Sequence, residues 1–131
     1  MPYSWVDHTG EMELELGAES EEGLFEGAFE AMRELLAADH ADEPLELQVE
    51  LKGGDRAVLL ADWIGELAYL GETRGLVPER LDSFELASDG LRATVAGAKG
   101  DPPHLVKAAT YHRLAFERAD GRWRARVVLD V

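Results

Sequence analysis

The chain has 131 residues, with 27 acidic against 13 basic side chains and a formal net charge of −14. That length fits one ordinary domain with a real core, and that charge disfavours unassisted binding to nucleic-acid phosphates, so a basic or metal-loaded partner fits better than naked RNA or DNA. The absence of cysteine excludes disulfides, thiolate zinc sites and a thiol nucleophile; no basic-then-apolar leader or long apolar run is present, so the expectation is a cytoplasmic protein without membrane contact.

In chain order, the first clear strand is Glu11 to Leu16, where Met12, Leu14 and Leu16 alternate with Glu11, Glu13 and Glu15. Ser20 reads as the N-cap of a helix, with Glu21 and Glu22 placed well against its dipole. Leu24, Phe25, Ala28, Met32, Leu35 and Leu36 then recur at helical spacing up to an end near Asp39. A second strand runs through Leu45, Leu47, Val49 and Leu51 and stops at Gly53-Gly54. That glycine pair can cradle an anion, but a strand stop before a cap is the plainer reading. Asp55 caps a second helix bearing Leu59, Leu60, Trp63, Ile64, Leu67 and Leu70. Gly71 to Pro78 is expected as its exit loop.

The remainder is strand and turn. Phe84 and Leu86 lead into Ser88-Asp89-Gly90, and Leu91, Ala93 and Val95 lead out. Gly97 to Pro103 is expected as a loop. Val106 through Phe116 and Trp123 through Leu129 form two alternating series joined by Asp120-Gly121, a two-residue hairpin signal. A constant register from that turn pairs Ala119 with Arg122, Phe116 with Ala125, Leu114 with Val127 and His112 with Leu129, so apolar meets apolar. Extended outward, it sets Tyr111 opposite Asp130 and Thr110 opposite Val131, with Lys107 just beyond on the face of Asp130. The element order predicts a single α+β domain over residues 1–131: two helices packed against a mixed or antiparallel sheet in layers, ending in a C-terminal β-hairpin.

No phosphate loop, paired-histidine zincin motif or nucleophile elbow is present. The chemistry is carboxylate-based. Asp7, His8 and Glu11 gather near one end, and Asp130 with the α-carboxylate of Val131 stands at the other. If the fold joins them, Glu11, Asp130 and Val131 offer oxygens to a hard divalent cation, which takes roughly six to eight. The bland reading is solvated carboxylates on an acidic surface. His8 can cap or bridge a turn; His112, inside an apolar series, reads as a satisfied, partly buried side chain. His40 and His104 fall in loops. Lys107 is either a solvated lysine or a partner for Asp130 or a ligand phosphate. Trp63, Trp123 and Phe25 read as core.

Four segments together carry a resemblance. Asp7-His8-Thr9-Gly10-Glu11, the Leu59–Leu67 helix stretch, Lys107-Ala108-Ala109-Thr110-Tyr111-His112 and the terminal Asp130-Val131 resemble, in that order, the motifs of the archease family. The resemblance implies an α+β protein without a reaction of its own. Its implied role is to activate an RtcB-type RNA ligase in tRNA splicing or RNA repair, promoting GTP-dependent guanylylation of the ligase's active-site histidine and repeated turnover. It implies metal ligands at Glu11, Asp130 and Val131, a functionally important Lys107, and supporting roles for Asp7, His8, Thr9, Thr110 and His112. The ligase is then the partner, with no direct nucleic-acid binding. The family's motif acid is aspartate where this chain has Glu11. The added methylene suits calcium, with its loose shell at about 2.3–2.6 Å, better than octahedral magnesium or manganese, and Gly10 lets the backbone compensate. A chaperone-like or scaffolding module and a small metal-dependent enzyme are the competing classes.

Overall fold

Residues 2–103 and 106–131 are described by a computed structural model, His8 by its backbone; His104 lies outside the described residues. They form β1 (Tyr3–His8), β2 (Glu11–Ala18), α1 (Glu21–Leu35), β3 (Ala41–Lys52), α2 (Arg56–Arg74), β4 (Leu76–Ala87), β5 (Gly90–Gly100), β6 (Ala108–Ala119) and β7 (Arg122–Asp130). The caps form as their residue types dictate. Ser20 Oγ accepts from the Gly23 N–H at 3.0 Å and Asp55 Oδ1 from the Val58 N–H at 3.1 Å, each satisfying a donor that the first helical turn leaves open.

The strands assemble into two antiparallel sheets, ordered β1-β2-β7-β6 and β3-β5-β4. The expected α+β class holds, as two sheets rather than one. Leu14, Leu16, Ala125, Val127 and Leu129 line the inner face of the larger sheet, and Leu47, Val49, Leu91, Ala93 and Val95 that of the smaller. Both helices touch both sheets. Phe25 of α1 sits 5.8 Å from Phe84 of β4 and 6.1 Å from Phe116 of β6, centroid to centroid. Trp63 of α2, fully buried, donates its indole N–H to the Phe25 carbonyl at 3.0 Å. Trp123 packs half-buried against the same core.

Three expectations give way. The Gly71–Pro78 loop is helix and strand, because Gly75 alone turns the chain in a left-handed conformation (φ 69) and β4 begins at Leu76. The Gly97–Pro103 loop is strand as far as Gly100, since Gly97 pairs with Pro78 and the Gly100 N–H donates to the Gly75 carbonyl at 2.8 Å. And β1 was not anticipated, although Tyr3 and Trp5 alternate with Ser4 and Val6. Thr9-Gly10, with Gly10 at φ 74, closes it onto β2.

The last hairpin departs most from a constant register. Asp120 (φ 54) and Gly121 (φ 75) make the tight turn as expected, and Ala119 pairs with Arg122 and Phe116 with Ala125. Between Thr110 and Ala115 the register shifts: β6 advances five residues while β7 advances two, from Val128 to Arg126. Ala108, not Tyr111, therefore faces Asp130; Ala109, not His112, faces Leu129; and Thr110 faces Val128, not Val131. Leu114 does not pair with Val127, but still packs against the core. No glycine or proline marks this bulge. Its left-handed residue is Arg113, at φ 55.

Candidate functional site

Register places the carboxylates. In β1–β2 His8 pairs with Glu11, in β2–β7 Glu11 pairs with Asp130, and in β6–β7 Asp130 pairs with Ala108. Directly paired residues share a face, so Glu11 and Asp130 stand side by side on the sheet face turned away from the helices. The Val131 N–H donates to the Gly10 carbonyl at 3.2 Å, which fastens the end of the last strand to the β1–β2 turn. Gly10 matters here for its φ of 74 alone, since an added Cβ would meet nothing within 4 Å.

The electrostatics of this row are unusual for the sheet. Four residue pairs along the same ladder, Glu15 faces Arg126, the complementary arrangement that stabilises a ladder. Glu11 faces Asp130, and like charges directly opposite destabilise one. A cation between them removes that repulsion. Among the described residues no three His, Cys, Asp or Glu side chains converge as a metal-binding group. A hard cation here would take the Glu11 and Asp130 carboxylates, main-chain oxygens of Val131 and water, a donor set that fits calcium-type chemistry.

The other candidate residues separate. Asp7 pairs with Met12 on the neighbouring row and is exposed, as is Thr9 in the turn. Thr110 Oγ1 accepts from the His112 N–H at 3.2 Å. His112 is exposed on the bulge, not partly buried, because the register shift takes it off the inner face. Lys107 donates its backbone N–H to the Asp130 carbonyl at 2.8 Å. Instead of sharing the Asp130 face, it lines a groove of about 410 Å³ between α2 and residues 106–109, together with Asp62, Glu66, Tyr69 and Glu72.

Sequence patterning missed two features of this region. Arg113 turns its guanidinium to Glu13, 3.3 Å away, where Glu13 is largely buried on the outer face. Tyr111 reaches in the other direction, donating its hydroxyl to Asp62 of α2 at 2.6 Å, and that hydrogen bond holds the phenol above its ordinary pKa. A positive-φ arginine has no sequence signature, so neither contact was foreseeable from alternation.

Comparison with known proteins decides the family. The profile described as "Archease protein family (MTH1598/TM1083)" matches residues 3–131. The chain belongs to the archease family. It is 33% identical over 140 residues to the protein archease of Methanopyrus kandleri, with all of both chains covered. To that of Pyrococcus furiosus it is 31% identical over 135 residues, covering 95% of each. The solution structure of Methanobacterium thermoautotrophicum protein 1598 superposes with a TM-score of 0.72 at 28% identity, covering 99% of each chain. The fold is shared with a Thermotoga maritima archease described as a possible chaperone, TM-score 0.70 at 24% identity, covering 96% and 94%. No helix among the described residues of this archease-family chain is long and apolar enough to cross a membrane.

Proposed function

We propose that this archease-family protein is a non-catalytic activator of an RtcB-type RNA ligase in tRNA splicing or RNA repair, acting through a divalent-cation site at Glu11, Asp130 and Val131. The observation behind this reading is the pair Glu11–Asp130, the one place where the β2–β7 ladder sets like charges opposite each other. Fold stability gains nothing from that pairing. A cation held there, calcium first and magnesium or manganese next, supplies positive charge to phosphate oxygens. Glu11 and Asp130 hold it from adjacent strands, and the bond from Val131 to Gly10 keeps the end of β7 beside the β1–β2 turn. Lys107, anchored through its backbone to Asp130, offers an ammonium for a nucleotide phosphate on the neighbouring face. The net charge of −14 speeds encounter with a basic active-site cleft.

The deciding experiment is a ligase guanylylation assay with GTP. The wild-type chain is expected to stimulate histidine guanylylation and turnover, and Asp130→Ala to return both to the level of the ligase alone while the circular dichroism spectrum is unchanged. An Asp130→Ala protein of undiminished potency sinks the reading. Calorimetry on the isolated protein tests the site separately: calcium binding weakens when residues are appended after Val131, and equal affinity counts against Val131 as a ligand. The description of the Thermotoga protein favours a second reading, a chaperone. That reading requires protection of unrelated unfolding proteins, with Asp130→Ala as effective as wild type.

A further inference from the structure

The groove beside Lys107 has a chemistry that the cation site does not use. We propose that it is the docking site for an arginine-bearing segment of the protein partner. Asp62, Glu66, Tyr69 and Glu72 follow one another along α2 at spacings of four, three and three, so they share one face. Small residues, Ala61, Gly65 and Ala68, lie between them; at Gly65 an added Cβ would stand 3.9 Å from Ala109 Cβ. The result is a trough with an acidic margin and a low floor.

Two tyrosines flank it. Tyr69 is 58% and Tyr111 61% exposed, and with Val6 they are the exposed large hydrophobic residues among those described. Tyr111 is held to the margin by its bond to Asp62, so its ring is already placed for contact and loses little freedom on binding. Exposed, pre-positioned tyrosines are characteristic interface anchors. In a chain of charge −14, three carboxylates outweigh the single ammonium of Lys107, which can meet one phosphate group but not hold a phosphate backbone, so the groove selects a cationic segment. Aromatic faces beside carboxylates favour guanidinium over ammonium, because a planar cation stacks on the ring while donating to the acid. Ala108, which lines the groove, pairs with Asp130. A segment seated there is held across the β6 edge from the Glu11–Asp130 row, close to where an activator needs its client; this last step rests on the function proposed above.

The probe is a hexa-arginine peptide, with hexalysine as its equal-charge control, titrated into the full chain and followed by backbone amide NMR shifts. Hexa-arginine is expected to move residues 61–72 and 106–112, to bind more tightly than hexalysine, and to lose about fivefold in affinity in Tyr69→Ala and again in Tyr111→Ala. Glu26→Gln, an exposed acid on α1, is expected to leave affinity unchanged. Equal binding of the two peptides, shifts spread over the whole acidic surface, or unchanged affinity in both tyrosine variants overturns the proposal. Concentration-dependent shifts at the groove without peptide, marking a second copy as occupant, overturn it as well. Failure of the ligase assay leaves the peptide result standing, and failure of the peptide test with Asp130→Ala still inactive removes the groove alone.

Discussion

The two sheets are built from the same alternating pattern and treat their outer faces differently. In the three-stranded sheet the outward residues match across strands. Glu50 faces Arg92 with 3.3 Å between carboxylate and guanidinium, and Thr94 donates to Gln48 at 3.1 Å while accepting from Ser83 at 2.9 Å. In the four-stranded sheet Arg126 stands opposite Glu15, Glu13 opposite Val128 takes its guanidinium from Arg113, and Asp130 stands opposite Glu11 with like charge. The smaller sheet has its own register shifts, at Ala41–Glu43, Pro78–Arg80 and Leu81–Ser83, but sets no like charges opposite each other, whereas the larger one does so at Glu11–Asp130, beside a strained bulge. Local rules that fail where the rest of the chain obeys them point to function rather than stability.

The sheets share one core, so the largest perturbation ignores their difference. Trp63→Ala empties a site that touches Phe29 of α1 and Phe84 of the smaller sheet and leaves the Phe25 carbonyl without its indole donor. A loss of about 3–5 kcal/mol is expected, with both sheets melting in one urea transition. Two separated transitions would show that the sheets are independent after all.

The next effect separates them. Arg113→Ala removes the guanidinium that reaches the largely buried Glu13 and is expected to cost about 1–3 kcal/mol in urea unfolding. Arg113→Gly relieves the positive φ of 55 as well and should be the less damaging of the two. A glycine variant less stable than the alanine one would mean that the bulge conformation carries no strain. Glu50→Lys is the counterpart on the smaller sheet. It sets like charges opposite each other at Arg92 and is expected to cost only about 0.2–1 kcal/mol, because that pair is well exposed.

At the mismatched row the sign reverses. Asp130→Asn is expected to stabilise the cation-free protein by about 0.2–1 kcal/mol, by ending the repulsion from Glu11. Chelator-treated samples of wild type and variant, unfolded in parallel, decide it. A destabilised Asp130→Asn protein would mean that the row is satisfied by some other contact and does not call for a cation.

How much of this was legible follows from where the backbone stays regular. The Leu45–Leu51 and Leu91–Val95 alternations gave correct inner faces because a period of two survives wherever pairing is uninterrupted. The helices were legible from Ser20, Asp55 and their apolar spacing, since caps act within four residues. Pairing Glu11 with Asp130 came only by resemblance, because the neighbour of a strand 119 positions away is a property of topology. The bulge at Tyr111–Leu114 defeated the register argument for a related reason. Arg113 adopts a left-handed backbone that its residue type does not announce, and its contacts to Glu13 and Arg126 exist only once β2 and β7 are in place. A three-residue shift then relocated Lys107 from the cation face to the groove.

The smallest expected effect compares the two tyrosine staples that tie the four-stranded sheet to the helices. Tyr111 of β6 donates to Asp62 of α2, and Tyr3 of β1 donates to Glu34 of α1. The bond to the Glu34 carboxylate, with burial and the same negative charge adding to it, pushes the Tyr3 phenol up to about 12. A phenol raised in the folded state above its ordinary value of about 10 contributes stability that is complete below pH 10. That contribution falls away as pH rises toward 12, because the unfolded chain ionises first. Partial exposure and screening keep it to no more than about 1 kcal/mol. Unfolding of wild type and Tyr3→Phe should therefore differ by a constant small amount up to about pH 10, with the difference closing between pH 10 and 12. A gap that stayed constant through pH 12 would mean that the folded state does not hold the phenol above its ordinary value.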